Sequence, residues 1–140
     1  TEKFNPGTTP TLAGNAVACA AGLALIEVLH EEKLFENAAA MGKRLVEGIS
    51  TMSTSKYVGE VRYKGLIGSI ELVVDQKTKE PMPKKDVNWI LGRMAEEGIL
   101  TSASGPEGNC FRVQPTLDIN KDQIDRVVKT FDQILKEYDK

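Results

Sequence analysis

The order of apolar patterns along this sequence predicts a two-layer α+β sandwich: a small, largely antiparallel sheet with helices on one face. Three observations carry that expectation. Four stretches repeat apolar residues at helical spacing. Four short β-prone runs fall between them in two adjacent pairs. Within each pair the separation is short, so the strands join as hairpins and not through long crossovers. The resulting order is helix, helix, strand, strand, helix, strand, strand, helix.

Residues 1–14 hold three glycine or proline breaks and no periodicity, and read as loop continuing from a domain that precedes them. The folded domain is expected over residues 15–140. Asn15 can cap a helix from Ala16 to about His30. Val17, Ala20, Ala21, Ala24, Leu25 and Val28 have helical spacing, but the other sides are apolar too. A helix apolar all round calls for burial on more than one face, so this one is expected to pack between the domain and a second body. Leu34, Ala38, Met41, Leu45, Ile49 and Met52 form one clean stripe, the mark of a core helix on a sheet. Residues 58–62 and 66–74 are β-prone and are separated by Tyr63-Lys64-Gly65. A helix over residues 86–97 turns Val87, Ile90, Leu91 and Met94 inward, and Gly98 stops it. Residues 99–103 and 110–113 then form a second hairpin around Ser104-Gly105-Pro106-Glu107-Gly108. Asn120 caps the last helix, with Gln123 placed for a capping box; Ile124, Val127, Val128, Phe131, Leu135 and Tyr138 form its inner face.

The bulk properties exclude several roles. The 140 residues carry a net charge of −2 with both signs interspersed, so there is no basic stripe for nucleic acid. The longest uncharged run in a helical pattern, residues 15–26, is too short to cross a bilayer, which predicts no membrane partner. One histidine, His30, and two distant cysteines, Cys19 and Cys110, give no metal-ligand spacing. His30 suits a helix C-terminus. The two cysteines are expected as buried free thiols in a reducing, cytoplasmic setting.

The residue that stands out is Arg112. It lies inside a short apolar strand between Phe111 and Val113, and by alternation it faces away from both. A permanently charged guanidinium there needs a partner. That partner is either a structural carboxylate or solvent, or else a ligand carboxylate gripped by two parallel hydrogen bonds.

Three segments together resemble the C-terminal small domain of class III (ω-amino-acid) aminotransferases, which are fold-type I pyridoxal-phosphate enzymes. The first is Thr11-Leu12-Ala13-Gly14-Asn15-Ala16-Val17-Ala18-Cys19-Ala20-Ala21. The second is Val58-Gly59-Glu60-Val61-Arg62-Tyr63-Lys64-Gly65-Leu66, with the trailing Ile70-Glu71-Leu72. The third is Arg112-Val113-Gln114-Pro115-Thr116-Leu117-Asp118-Ile119. Gly105-Pro106 and Asn109 lean toward 4-aminobutyrate aminotransferases within that family. The resemblance implies that Arg112 binds the substrate α-carboxylate. It implies that Thr11 reaches the phosphate of pyridoxal 5'-phosphate in a neighbouring subunit, so the intact enzyme is a homodimer. It also implies that the Schiff-base lysine belongs to a large domain outside this chain; Ser55-Lys56, the sole Ser-Lys pair, lacks the surrounding motif. The implied reaction moves an amino group from an ω-amino acid such as 4-aminobutyrate to an α-keto acid such as 2-oxoglutarate, and the isolated chain is not competent for it. A related decarboxylase or aminomutase on the same scaffold, or a non-enzymatic α+β binding module, are the alternatives.

Overall fold

In a computed structural model, which describes residues 11–139, the chain divides into two compact units between Leu34 and Phe35. The first unit holds a turn over residues 11–14 and helix α1 (Ala16–Glu31). Asn15 caps the helix as its sequence predicts: its side-chain oxygen accepts from the Ala18 N–H at 2.9 Å, and its Nδ2 donates to the Leu12 carbonyl at 3.0 Å. His30 lies in the last turn, where a cation is favoured. No residue of α1 is buried. The expectation of buried thiols is therefore corrected. Cys19 is exposed, because it lies on a helix with no buried face, and Cys110 is half-buried; both are free.

The second unit contains α2 (Leu34–Ser50), a single 3-10 turn (Ser55–Tyr57), β1 (Val58–Lys64), β2 (Ile67–Asp75), β3 (Glu80–Pro81), α3 (Lys84–Glu96), β4 (Ala103–Ser104), β5 (Cys110–Val113) and α4 (Lys121–Tyr138). The sheet runs β1-β2-β5-β4 with every neighbour antiparallel, and β3 pairs with the far end of β2. Both expected hairpins form, and the second inserts its β5 strand beside β2. The short β3 and the 3-10 turn were not legible as periodic patterns. The strand expected over residues 99–103 shrinks to Ala103–Ser104: the Ile99 N–H is held by the Met94 carbonyl at 2.9 Å, Leu100 is exposed, and the first bonds to β5 come from Thr101 and Ser102. Helix α3 starts two residues earlier than expected. The Pro83 carbonyl accepts from the Asp86 and Val87 N–H groups at 2.8 and 3.1 Å, so the proline ends the preceding segment and opens the helix.

The core lies on one face of the sheet. Ile70, Leu72 and Phe111 point to it and meet Leu45 and Ile49 of α2, Val87, Ile90 and Met94 of α3, and Ile124, Phe131 and Leu135 of α4 in one buried cluster. The stripes read from the sequence are therefore the buried faces of these helices. The Asn120–Gln123 capping box is complete, with bonds of 3.0 and 2.9 Å. Asn109 is buried at the start of β5, where its Nδ2 donates to the Leu72 carbonyl at 2.8 Å and its own carbonyl accepts from the Leu72 N–H at 2.9 Å.

One polar hub ties the end of α2 to α4. Asp132 accepts from the Thr54 hydroxyl at 2.7 Å, the Thr54 N–H at 3.1 Å and the Ser53 hydroxyl at 3.1 Å, and pairs with Lys136 at 2.8 Å. Burial alone would raise this carboxyl, but the donors outweigh it and hold the pKa at about 2. A folded-state value below the ordinary one contributes stability above the unfolded pKa, and that stability is lost as pH falls through the folded value. The contribution is about 2 kcal/mol. The stability difference between the wild type and Asp132→Asn is thus expected to be full above pH 4 and to shrink toward pH 2 in urea titrations. A difference independent of pH across that range would remove Asp132 as the source.

Candidate functional site

The sheet face opposite the core carries the chemistry. Strand alternation puts Glu60 and Arg62 of β1, Ser69 and Glu71 of β2, and Cys110 and Arg112 of β5 on that side. The register lines up Arg62, Ser69 and Arg112 in one row across three strands, with Glu60, Glu71 and Cys110 in the next. This is the direction that alternation assigned to Arg112. Its guanidinium is exposed, as an unneutralised charge must be unless it is paired.

The arginines on this unit are not equivalent. Arg44 grips Asp125 with two bonds of 2.6 Å. Arg62 is neutralised by Glu60 and by Glu71 at 3.6 Å, and its Nη2 lies 3.6 Å from Cys110 Sγ. Those carboxylates hold the Arg62 guanidinium firmly in its charged form, Glu60 being the stronger influence. Arg93 pairs with Glu96 and with Glu137, the latter at 3.2 Å, and Arg126 donates to the Glu97 carbonyl at 2.7 Å. Among the described residues, no hydrogen bond or ion pair engages the Arg112 guanidinium. A structural carboxylate, one of the partners left open for it, is not found among its described neighbours: Glu60 and Glu71, the acids nearest in register, both pair with Arg62.

The surroundings of Arg112 are fixed by bonds that the sequence pattern did not show. Its N–H donates to the Ser102 carbonyl at 2.8 Å, and its carbonyl accepts from the Thr101 hydroxyl at 2.6 Å. The extended exit from β5 is held by Asn37 of α2, whose Nδ2 donates to the carbonyls of Leu117 at 2.7 Å and Ile119 at 3.0 Å. The turn into β5 needs Gly105: its φ is +88°, and a Cβ there would stand 3.0 Å from Cys110 Sγ. A cavity of about 300 Å³ adjoins this strand. Its wall is apolar, led by Leu45, Phe111, Ile124 and Val127, apart from Thr101, Ser102, Arg112 and Gln114. Thr101 and Asn37 carry no periodic signal in the sequence.

Thr11, the second expected site residue, lies exposed in the turn just before α1, in the first unit, whereas Arg112 is in the second. An exposed hydroxyl at the N-terminal side of a sixteen-residue helix suits a phosphate, which helix N-termini attract. Taken singly, an exposed hydroxyl such as that of Thr11 suits a phosphate oxygen, and a guanidinium without a partner among the described residues, such as that of Arg112, suits a carboxylate. Lys56 of the Ser55-Lys56 pair is engaged with Asp139 at 2.7 Å. The described residues contain no metal-ligating cluster, and no helix among them is long and apolar enough to cross a membrane.

Comparison with known proteins gives the family. The family model described as aminotransferase class-III matches residues 1–135. Alanine--glyoxylate aminotransferase 2 homolog 2, mitochondrial, of Arabidopsis thaliana is 39% identical over 123 residues, which are 87% of this chain and 26% of that protein. Ethanolamine-phosphate phospho-lyase homolog 1 of Caenorhabditis elegans is 35% identical over 126 residues, 89% of this chain and 27% of that protein. Among solved structures, the omega transaminase of Pseudomonas jessenii in complex with PMP superposes with a TM-score of 0.80 at 32% identity, covering 94% of this chain and 29% of that one. The chain thus spans about a quarter of the length of the curated relatives it matches. With a family match over residues 1–135 and an antiparallel α+β unit, the chain belongs to the class III aminotransferases.

Proposed function

We propose that this chain is the C-terminal small domain of a pyridoxal-phosphate-dependent aminotransferase and that Arg112 is its carboxylate receptor. The reaction is transfer of the amino group of an ω-amino acid such as 4-aminobutyrate to an α-keto acid such as 2-oxoglutarate. One observation carries the reading: among the arginines of the second unit, Arg112 alone has no protein partner among the described residues, and it stands on an open sheet face. A planar fork held on a strand and left unpaired is suited to two parallel bonds with a carboxylate.

Pyridoxal phosphate, when bound, supplies the electron sink for amino-group exchange. Thr11 would hold the cofactor phosphate through its hydroxyl. Arg112 fixes the carboxylate so that the bond to be broken keeps one direction. The catalytic lysine comes from a large domain of the same polypeptide, and the unburied apolar sides of α1, with Val17 and Leu23 exposed, are the surface that this domain covers. The intact enzyme works as a homodimer, with Thr11 serving the neighbouring subunit's cofactor, in a reducing cytoplasm that keeps Cys19 and Cys110 as thiols.

A second reading is favoured by the similarity to a phospho-lyase: a cofactor enzyme of the same family that eliminates a group instead of transferring nitrogen. The two are separated by product. Full-length enzyme loaded with pyridoxal phosphate and given 4-aminobutyrate is expected to form glutamate from 2-oxoglutarate, with no turnover when the keto acid is omitted. Release of ammonia and phosphate from ethanolamine phosphate without any keto-acid requirement, with no glutamate formed from 4-aminobutyrate, would favour the lyase and overturn the transaminase.

A further inference from the structure

Among the described residues Arg112 has no partner at its tip, so its direction must come from its root. In a regular antiparallel pair, two residues that face each other across a hydrogen-bonded position exchange both backbone bonds. β4 and β5 are paired at Ala103–Phe111 and Ser104–Cys110. One step beyond, only half of the exchange is made by backbone. The Arg112 N–H donates to the Ser102 carbonyl at 2.8 Å, but the Arg112 carbonyl takes its bond from the Thr101 side chain, at 2.6 Å. The hydroxyl stands in for the missing backbone donor at the point where the ladder ends. Leu100 next to it is 87% exposed, so the chain is already leaving the sheet here.

From this geometry we infer that Thr101 is a positioning residue for Arg112, acting through the main chain; the inference rests on the carboxylate-binding reading of Arg112. The bond to the N–H restrains rotation on one side of the Arg112 Cα, and the Thr101 hydroxyl restrains it on the other. A long side chain amplifies any small rotation at its Cα, and a bidentate grip tolerates little of it: about 1 Å of misplacement is enough to cost most of a well-aligned interaction. On the other side β5 is laddered to β2 from Gly68–Val113 to Glu71–Cys110, which fixes the strand as a whole; the Thr101 hydroxyl adds the restraint at the Arg112 carbonyl itself. Thr101 touches neither substrate nor cofactor in this assignment. Its contribution is the direction of the fork.

The test compares Thr101→Val, Thr101→Ala, Thr101→Ser and Arg112→Ala in the full-length enzyme. KM is measured for 2-oxoglutarate and, in the other half-reaction, for an amine donor that has no α-carboxylate. Loss of one neutral hydrogen bond corresponds to roughly a three- to tenfold change. Thr101→Val and Thr101→Ala are expected to raise KM for 2-oxoglutarate by that factor and to leave KM for the amine unchanged, while Thr101→Ser restores the wild-type value. If Arg112→Ala is selective for the keto acid but both hydroxyl-free variants are not, Thr101 has no positioning role and the reading of Arg112 stands. Equal losses for both substrates in the Thr101 variants, tracking a lowered melting temperature, also overturn it. If Arg112→Ala itself shows no selectivity, the carboxylate reading fails and the Thr101 inference falls with it.

Discussion

Arg112→Ala in the full-length enzyme is expected to lower kcat/KM for α-keto acids such as 2-oxoglutarate by roughly a hundredfold or more. Hydrogen bonds to charged groups contribute roughly 1.5–3 kcal/mol each, and the proposed grip has two of them. Each 1.4 kcal/mol is about tenfold, so a hundredfold loss is the lower end. Arg112→Lys keeps the charge and loses the fork, and should fall between the wild type and the alanine variant. The structure sharpens this expectation. Because the guanidinium is exposed and has no partner among the described residues, its removal should leave the melting temperature nearly unchanged. Arg44, which makes two short bonds from α2 to α4, is a useful contrast for an arginine with a structural task. Amine donors without an α-carboxylate should be much less affected in their own half-reaction. Equal losses in both half-reactions together with a fallen melting temperature would return Arg112 to a structural role.

The largest effect on folding is expected from Gly42→Ala. Gly42 is buried in α2 directly over the β1–β2 turn. A Cβ built on it would stand 1.9 Å from the Gly65 carbonyl oxygen and 2.6 Å from the Gly65 carbonyl carbon. Both are backbone atoms, and Gly65 itself sits at φ +57° in the turn, so neither side can yield by rotating a side chain. Helix propensity works the other way, because alanine in a helix interior is better than glycine by about 1 kcal/mol. The clash prevails: relieving it moves the whole helix off the hairpin and opens contacts around Ala38, Leu45 and Leu66, all buried in the core. Overpacking of this kind costs about 1–3 kcal/mol and occasionally more. Here the upper end applies, for a net loss of about 2 kcal/mol or more. For a unit of this size that lowers Tm by roughly 10 °C. Gly92→Ala in α3 is the control, since a Cβ there meets nothing within 4 Å. It should raise stability by about 0.5–1 kcal/mol. Thermal melts in which the two variants move in the same direction would show that α2 and the turn are not in the described contact.

Much of this protein follows from local rules that need no knowledge of the fold. The core stripes of α2, α3 and α4 were visible because helical spacing puts every third or fourth residue on one face; most of those residues are buried or packed against the core, while the buried Ile134 of α4 lies outside the stripe. The Asn15 and Asn120 caps were visible because a capping side chain bonds to a backbone only three residues away. The face on which Arg112 stands was visible because strand alternation has a fixed period of two. The family motifs were also readable at this level, as short runs of adjacent residues.

What the sequence could not decide depends on atoms far apart along the chain. Whether Arg112 has a partner turned on register: Glu60 and Glu71 both reach Arg62, so none of the acids nearest in the sheet remains for Arg112. Thr101 matters only because the β4 ladder ends two residues after it. Gly42 has no signal in the helical pattern, and its necessity comes from a turn more than twenty positions later. Cys19 was expected inside because its neighbours are apolar, yet burial is decided by what covers a surface, and α1 has no buried residue. Periodicity records which face a residue points to; only the tertiary structure decides what stands opposite it.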